Sequence, residues 1–501
     1  MDLNKDKRTF DAKIAFEDGI EFLKNEDYDS AEIKFLKSLE LVPNRASVIY
    51  NLIHIYIKCK NKEKLEKLID QCRDIEKTRE IKLAIAYKEY FNKCYEKSIK
   101  ISESLIDYSS LKREDDQVLF LLALNYKNLG NYLKTLNIYR KIFFRNRDDD
   151  AILENIGYFF LEQGKINKAY HYFKKGYDIN SNENNILWNI SMCKFKVGDL
   201  HNGFKLFEKR WDISGAGKKK FTNIKSVRSI NEIYNKKILI WDEQGLGDTI
   251  QFSRFVLDLL KYTKNITLVV NKKLKKLLSF LSSDILVEDY DSLKNHDYFD
   301  FQLPICSIPA LLGIKKKSDI VYKKLEIKEQ NFNINDSIFS KDKLNIGFAI
   351  SGNTHYRFDK FRSINFKDFE NFLTINKIKF FKLNTNIKQQ DLLRFYSYKI
   401  HDLGDKDFYE LIFYLKKLDL VVSVDTSIIH LCGTLNIPSI LLLSFNSDWR
   451  WFDDETKTVW YPSVKIIKQK KINNWQFVFD RLLEHLQNIY SQKFNKSLFD
   501  I

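Results

Sequence analysis

KKILIWDEQGLGDTIQFSRF (residues 236–255) reads as a short apolar strand, a glycine-bearing loop and the start of a helix. That succession opens a βαβ unit. The alternation continues C-terminally. ITLVV (266–270), ILVED (285–289) and FDFQLPI (299–305) are strand-like, with the helical stretch LKKLLSFL (274–281) among them. A second set opens at LNIGFAIS (344–351) and runs through INFKDFENFLTIN (364–376), IKFFKLN (378–384), FYELIFYLKKL (408–418), DLVVSV (419–424), SIIHLCGTLN (427–436) and SILLLSF (439–445). Strand–helix alternation predicts parallel sheets. Two sets predict two Rossmann-like halves, 236–335 and 343–501, with ligands at the carboxyl ends of strands.

Three clusters fall at such ends. Gly245, Gly247 and Asp248 follow the first strand, where glycines let backbone approach a ligand and Asp248 begins a helix. Spacing alone favours Asp248 as a helix cap. Ser351, Gly352 and Asn353 close the first strand of the second set, followed by His355, Arg357 and Arg362. Small polar residues and arginines there suit phosphate, or form an ordinary turn with a solvated basic loop. Asp425 and Thr426 end the strand DLVVSV and open a helix whose first-turn amides can face a diphosphate. His430 lies one turn further along the same face, as a phosphate ligand or a buried structural histidine.

N-terminal to the strand–helix region the period changes. Gly130, Gly164 and Gly198 recur every 34 residues, in NLG-NYLKT, EQG-KINKA and KVG-DLHNG. Seven residues before each lies a small residue (Ala123, Gly157, Ser191), and nine after each an aromatic (Tyr139, Phe173, Phe207). This resembles the tetratricopeptide repeat, in which small residues admit close helix approach. The aromatic is expected to fill the gap between successive hairpins. Earlier repeats keep register through Gly19, Phe22, Tyr28, Ala31, Phe35 and Pro43, with Glu26, Lys60 and Lys93 at the turn position. The reading is an α-solenoid of about six repeats within residues 1–212, then a linker at 213–235 marked by Gly215, Gly217 and Lys218–Lys220.

The 501 residues, 44% of them hydrophobic, suffice for several cores. The net charge of +16 is spread along the chain with abundant Asn and Ile, a compositional drift rather than a nucleic-acid surface, and no nucleic-acid module is present. Six cysteines form no CxxC. Neither a leader nor an apolar stretch long enough to span a bilayer is evident, so a soluble cytoplasmic protein without stable membrane insertion is expected. Asp289-Tyr290-Asp291 spells a DxD and Asp148–Asp150 an acidic run; both read as surface loops.

EQGLGDTIQFSRF (243–255), IGFAISGN (346–353), DLVVSVDTSIIHLCGTLNIPSILLL (419–443), SDWRW (447–451) and WYPSVKIIKQ (460–469) resemble, in order and spacing, the glycosyltransferases similar to the heptosyltransferases (glycosyltransferase family 9). The resemblance is closest to the bacterial branch with fused tetratricopeptide repeats. It covers about residues 236–470, and with the repeats most of the chain. It implies an α plus α/β architecture, a solenoid before a GT-B-type pair of Rossmann-like halves. It further implies inverting, metal-independent sugar transfer with no cofactor beyond the nucleotide-sugar donor. Asp248 would be the general base. Ser351, Gly352, Asn353, Asp425, Thr426 and His430 would hold the donor diphosphate, with Gly245 and Gly247 as the backbone loop. Ile350 stands where relatives commonly carry Trp, and Thr385-Asn386 replaces a usual Gln-Lys or similar pair; both changes touch the donor pocket. The repeats would recruit a protein or peptide acceptor, such as a flagellin-like surface protein, through their groove. Alternatives are a glycan or lipid-linked acceptor with the repeats serving assembly, and a non-catalytic interaction protein carrying a relic transferase domain. The repeats and the transferase are expected to be separable near residue 230.

Overall fold

The computed structural model describes residues 3–25, 27–59, 61–71, 78–213, 218–293, 298–328, 332, 334–353, 359–383, 395, 397–398, 400–452 and 456–499. His355, Arg357, Thr385, Asn386, Gly215, Gly217, Glu26 and Lys60 lie outside the described residues. The chain divides into two compact units, 1–156 and 157–501. It is an N-terminal helical-repeat region of tetratricopeptide type followed by parallel α/β sheets.

The repeat helices pair as Leu3–Lys24 with Tyr28–Leu41, Ala46–Lys58 with Lys62–Gln71, Arg79–Phe91 with Tyr95–Glu103, Asp116–Asn128 with Tyr132–Arg145, Asp150–Glu162 with Ile166–Ile179, and Asn184–Lys196 with Leu200–Phe207; in chain order they are α1 to α12. The turn glycines do what their spacing asks. Gly130, Gly164 and Gly198 have φ of 76°, 67° and 82°, ending each first helix in the left-handed conformation that glycine adopts without penalty. Lys93 takes the same conformation at 63°. The aromatic column, however, sits inside each hairpin rather than between hairpins. A Cβ on Gly157 would lie 2.6 Å from the Phe173 ring, and one on Gly19 2.8 Å from the Phe35 ring. The glycine marks where the two helices of one hairpin cross, and the ring of the second helix occupies the space its missing side chain leaves.

In the second unit, β1 (Ile238–Trp241), β2 (Ile266–Val270), β3 (Ile285–Asp289) and β4 (Phe301–Pro304) form an all-parallel sheet ordered β3-β2-β1-β4. β5 (Leu344–Ala349), β6 (Ile378–Lys382), β7 (His401–Asp402), β8 (Leu420–Val424), β9 (Ser439–Leu443) and β10 (Val464–Lys468) form a second, ordered β10-β9-β8-β5-β6-β7 and also parallel. Leu344, Ile346, Phe348 and Ile350 alternate onto one face, against the helices Phe366–Leu373 and Gln476–Phe494, as the period of two requires. The other face joins a large core that includes the first sheet and the last repeat hairpin, through Phe195, Leu200, Phe204 and Phe207.

Two sequence boundaries therefore move. The last hairpin is built into the α/β core, so residue 212 is not an edge between separately packed parts. The described residues of the expected linker are docked: Phe221 and Ile224 pack on Leu239, Trp241 and Val269. The Gln302 amide donates to the Lys225 carbonyl at 2.8 Å, and the Val227 amide to Gln302 at 3.2 Å. This segment lies beside β4 and satisfies backbone groups that an open sheet edge would leave unpaired. No helix among the described residues is long and apolar enough to cross a membrane.

Candidate functional site

The helix after β1, α13 (Leu246–Leu259), and the helix after β8, here α14 (Ser427–Leu435), start against each other. Gly247 permits this. A Cβ there would stand 2.8 Å from His430 Cδ2 and 3.3 Å from Ser427 Cα, closer than a side chain tolerates. Two helix N-termini, each with the partial positive charge of its unpaired amides, thus meet at the carboxyl ends of one strand from each sheet. Gln244, just before the glycine loop, is held at a φ of 61°, uncommon for a residue other than Gly, Asn or Asp.

Asp248 has two partners. Its Oδ2 accepts from the Gly245 amide at 2.8 Å, capping α13, and its Oδ1 pairs with the Arg450 guanidinium. Desolvation raises its pKa against the pull of Arg450. Arg450 also binds Asp448 Oδ1 at 2.9 Å. Burial pushes Asp448 upward, but Arg450 outweighs it and holds that carboxyl below its ordinary value. Arg450 Nε is buried with no hydrogen-bond partner among the described residues.

Thr426 caps α14, accepting from the Ile428 amide at 3.3 Å. Arg362 Nη1 donates to the Asp425 carbonyl at 2.6 Å, tying the segment after β5 to the end of β8. Gly352 makes room for this: a Cβ there would collide with the Arg362 guanidinium. The Gly352 amide donates to Ser363 Oγ at 3.0 Å. Ser351 and Asn353 flank it at the end of β5, so all three residue clusters read from the sequence lie at strand carboxyl ends. Burial, and next the charge of Asp448, lifts the Asp425 carboxyl to about 6.

His430 is not a phosphate-facing cation. It is 4% exposed, and burial drives it to about 3, so it is neutral. Its Nδ1 shares a hydrogen bond with the Tyr461 hydroxyl at 2.9 Å, its ring stacks on Trp451 at 5.3 Å, and its Nε2 lies 3.8 Å from Asp425. It buttresses the start of α14 from beneath. The DxD at 289–291 is a structural turn: Asp289 accepts from the amides of Asp291 and Ser292 at 3.0 and 2.9 Å and pairs with Lys275 at 3.1 Å, while the Tyr290 hydroxyl donates to the Asp242 carboxylate after β1.

The last repeat hairpin braces both loops that bring Asp248 and Arg450 together. Phe195 stacks on Trp449 with centroids 4.0 Å apart, and the Lys196 ammonium donates to the Ser447 carbonyl. Arg210, fully buried, forms a bidentate pair with Glu243, both bonds 2.8 Å, two residues before Gly245. Lys196 and Arg210 carry no signal of this role in their local sequence, and Arg450 and Asp448 were not singled out within SDWRW. SDWRW, a polar and aromatic cluster directly after an apolar strand, was the one available hint.

No protein-family model matches the chain, and no curated protein matches it. Similar solved structures are PilF of Pseudomonas aeruginosa (TM-score 0.30, 14% identity, covering 41% of this chain and 87% of that one), PilW, described as a widely conserved type IV pilus biogenesis factor (0.31, 14%, 40% and 90%), and TTC0263, a thermophilic TPR protein of Thermus thermophilus (0.32, 11%, 36% and 98%). By its own packing this chain is a tetratricopeptide-type repeat protein carrying a pair of Rossmann-like sheets.

Proposed function

We propose that this protein is a glycosyltransferase that moves a sugar from a nucleoside-diphosphate donor, its repeats recruiting a protein or peptide acceptor. The observation that carries the reading is the meeting of the α13 and α14 N-termini around Asp248, Arg450 and Arg362. Fixed amide dipoles and guanidinium groups there would stabilise the negative charge that a departing diphosphate gains. In that reaction an acceptor hydroxyl attacks the anomeric carbon. The new C–O bond forms as the bond to the diphosphate oxygen breaks, and the electron pair leaves on the nucleoside diphosphate. Asp248 takes the hydroxyl proton, a role suited to a carboxylate whose pKa is raised toward the working pH. Displacement from the opposite face inverts the anomeric centre. The cations are side chains, so the expected transfer is metal-independent.

The test pairs a thermal-shift screen against nucleotide sugars with transfer assays of the Asp248→Asn variant. Asn keeps an oxygen that can accept from the Gly245 amide, but it leaves the buried Arg450 with Asp448 as its carboxylate partner, so the melting temperature should fall while the fold is retained. Donor binding should persist while transfer falls about a hundredfold or more. Wild-type transfer should survive EDTA. A variant as active as wild type would remove Asp248 from the chemistry. Absence of any nucleotide-sugar shift would favour a non-catalytic interaction protein.

A further inference from the structure

Arg450 stands where the two helix N-termini meet, yet both of its ion-pair partners among the described residues are carboxylates of the same site. One of them, Asp248, is the residue that must be free to accept a proton. Pairing with Arg450 pulls the Asp248 carboxyl down against the lift that burial gives it, so Asp248 is a weaker base while paired than when the guanidinium has moved away. Arg450 also keeps an unpaired Nε in a buried place, an arrangement that costs free energy unless another acceptor arrives. A diphosphate supplies several strong acceptor oxygens and matches the guanidinium fork. The side chain is well supported for such an exchange. Trp449 beside it is stacked on Phe195, the Asp448 carboxylate accepts from the Arg450 amide at 3.0 Å, and the Trp460 indole N–H donates to the Arg450 carbonyl at 2.6 Å. The backbone is fixed while the guanidinium has alternative anions.

We propose that Arg450 is the ligand of the donor diphosphate and the lock on the base: in the empty site it pairs with Asp248, and the arriving diphosphate draws it away, leaving Asp248 free to take the acceptor's proton. This rests on the transferase reading. The lock ties activation of the acceptor to occupancy by the donor, so that Asp248 is released only when there is a leaving group to expel. Asp448 is the competing anchor, holding the guanidinium from the other side.

The experiment is calorimetric titration of the full-length protein with UDP, GDP, CDP and ADP and with the corresponding nucleosides. Whichever diphosphate wild type binds, Arg450→Gln should bind it about tenfold or more weakly, with affinity for the nucleoside unchanged. Arg450→Lys should recover part of the loss. Asp448→Asn, which keeps the cap on the Arg450 amide, should tighten the diphosphate by freeing the guanidinium, and that gain should vanish when Arg450→Gln is also present. Equal diphosphate affinity in wild type and Arg450→Gln overturns the inference and leaves the transferase reading standing. So does a gain from Asp448→Asn that persists without Arg450, because it would then come from charge alone. If wild type binds none of the four diphosphates, the transferase reading falls and this inference with it. Should Arg450→Gln fail to fold, Arg450→Lys and Asp448→Asn decide: unchanged affinity in both overturns the proposal.

Discussion

Asp425 is the residue whose charge state reports on the site. Its carboxyl is lifted to about 6 by burial and by the neighbouring Asp448, and it begins the turn into α14, where the donor diphosphate is proposed to lie. Above that pH it is an anion facing an anion. Below it the carboxyl is neutral and the repulsion is gone. Nucleotide-sugar affinity should therefore rise as pH falls from about 7 through 6 toward 5. The diphosphate of a nucleotide sugar is a diester and keeps its charge across that window, so the change belongs to the protein. His430 does not confuse the sign, since it stays neutral down to about 3. Asp425→Asn should bind with the tighter, acid-side affinity at every pH, which titration of both proteins at several pH values will check. A wild-type affinity flat between pH 5 and 7 would place Asp425 away from the diphosphate. At this scale the sequence named Asp248, Asp425, Thr426 and the glycines from their positions after strands. It left Arg450 unnamed, because an arginine in a loop looks the same whether it is solvated or paired with a distant carboxylate.

At the scale of elements, the last repeat hairpin belongs as much to the α/β core as to the array. Phe195 and Phe204 both touch Trp449, with centroids 4.0 and 6.0 Å away. Phe195→Ala should destabilise the second unit by about 3–5 kcal/mol, the usual cost of emptying a buried aromatic site, measurable by denaturant unfolding. It should also weaken donor binding, because the loop bearing Arg450 loses its stacking partner. The same packing predicts where the chain can be cut. A protein beginning at residue 157 keeps α10 to α12, Arg210 and the clamp that Phe195 and Lys196 form on Trp449 and Ser447, and should fold with a cooperative melt. One beginning at 230 removes Arg210 from its buried pair with Glu243 and exposes the ring faces of Trp449. It should melt well below the longer form or fail to fold. Equal stability of the two truncations would show that the clamp is dispensable. The 34-residue period could not reveal this. It describes how each hairpin packs within itself, and the contacts of the last hairpin with the sheets lie outside the repeat pattern.

At the scale of the whole molecule, the division at 156/157 separates the first unit from every residue of the candidate site. The first unit has its own core, centred on Phe35, Leu52, Tyr56, Leu83 and Val118, and repeats of this type depend on their neighbours rather than on distant parts. Removing residues 1–156 should leave nucleotide-sugar binding within about twofold of the full chain. Transfer to a protein acceptor should be lost if the groove of these repeats holds it, whereas donor hydrolysis persists because water needs no groove. Full-rate transfer by the shortened protein would assign the repeats to assembly instead and favour a glycan or lipid-linked acceptor.

What is local is legible in the sequence: the hairpin turns, where a left-handed residue is needed at Gly130, Gly164 and Gly198; the alternation that puts Leu344, Ile346 and Phe348 on one face of β5; and the strand ends at which Asp248, Gly352 and Asp425 stand. These follow from backbone geometry and from periodicities of two and about three and a half residues, which neighbouring positions carry among themselves. Only the packed fold shows that Phe173 fills its own hairpin, that residues 225–227 lie along β4, that His430 is a neutral support, and that Asp248 meets Arg450. Each of these depends on which surfaces come to share a core. A buried charge must find an opposite partner wherever in the chain it lies, and no local period encodes that pairing.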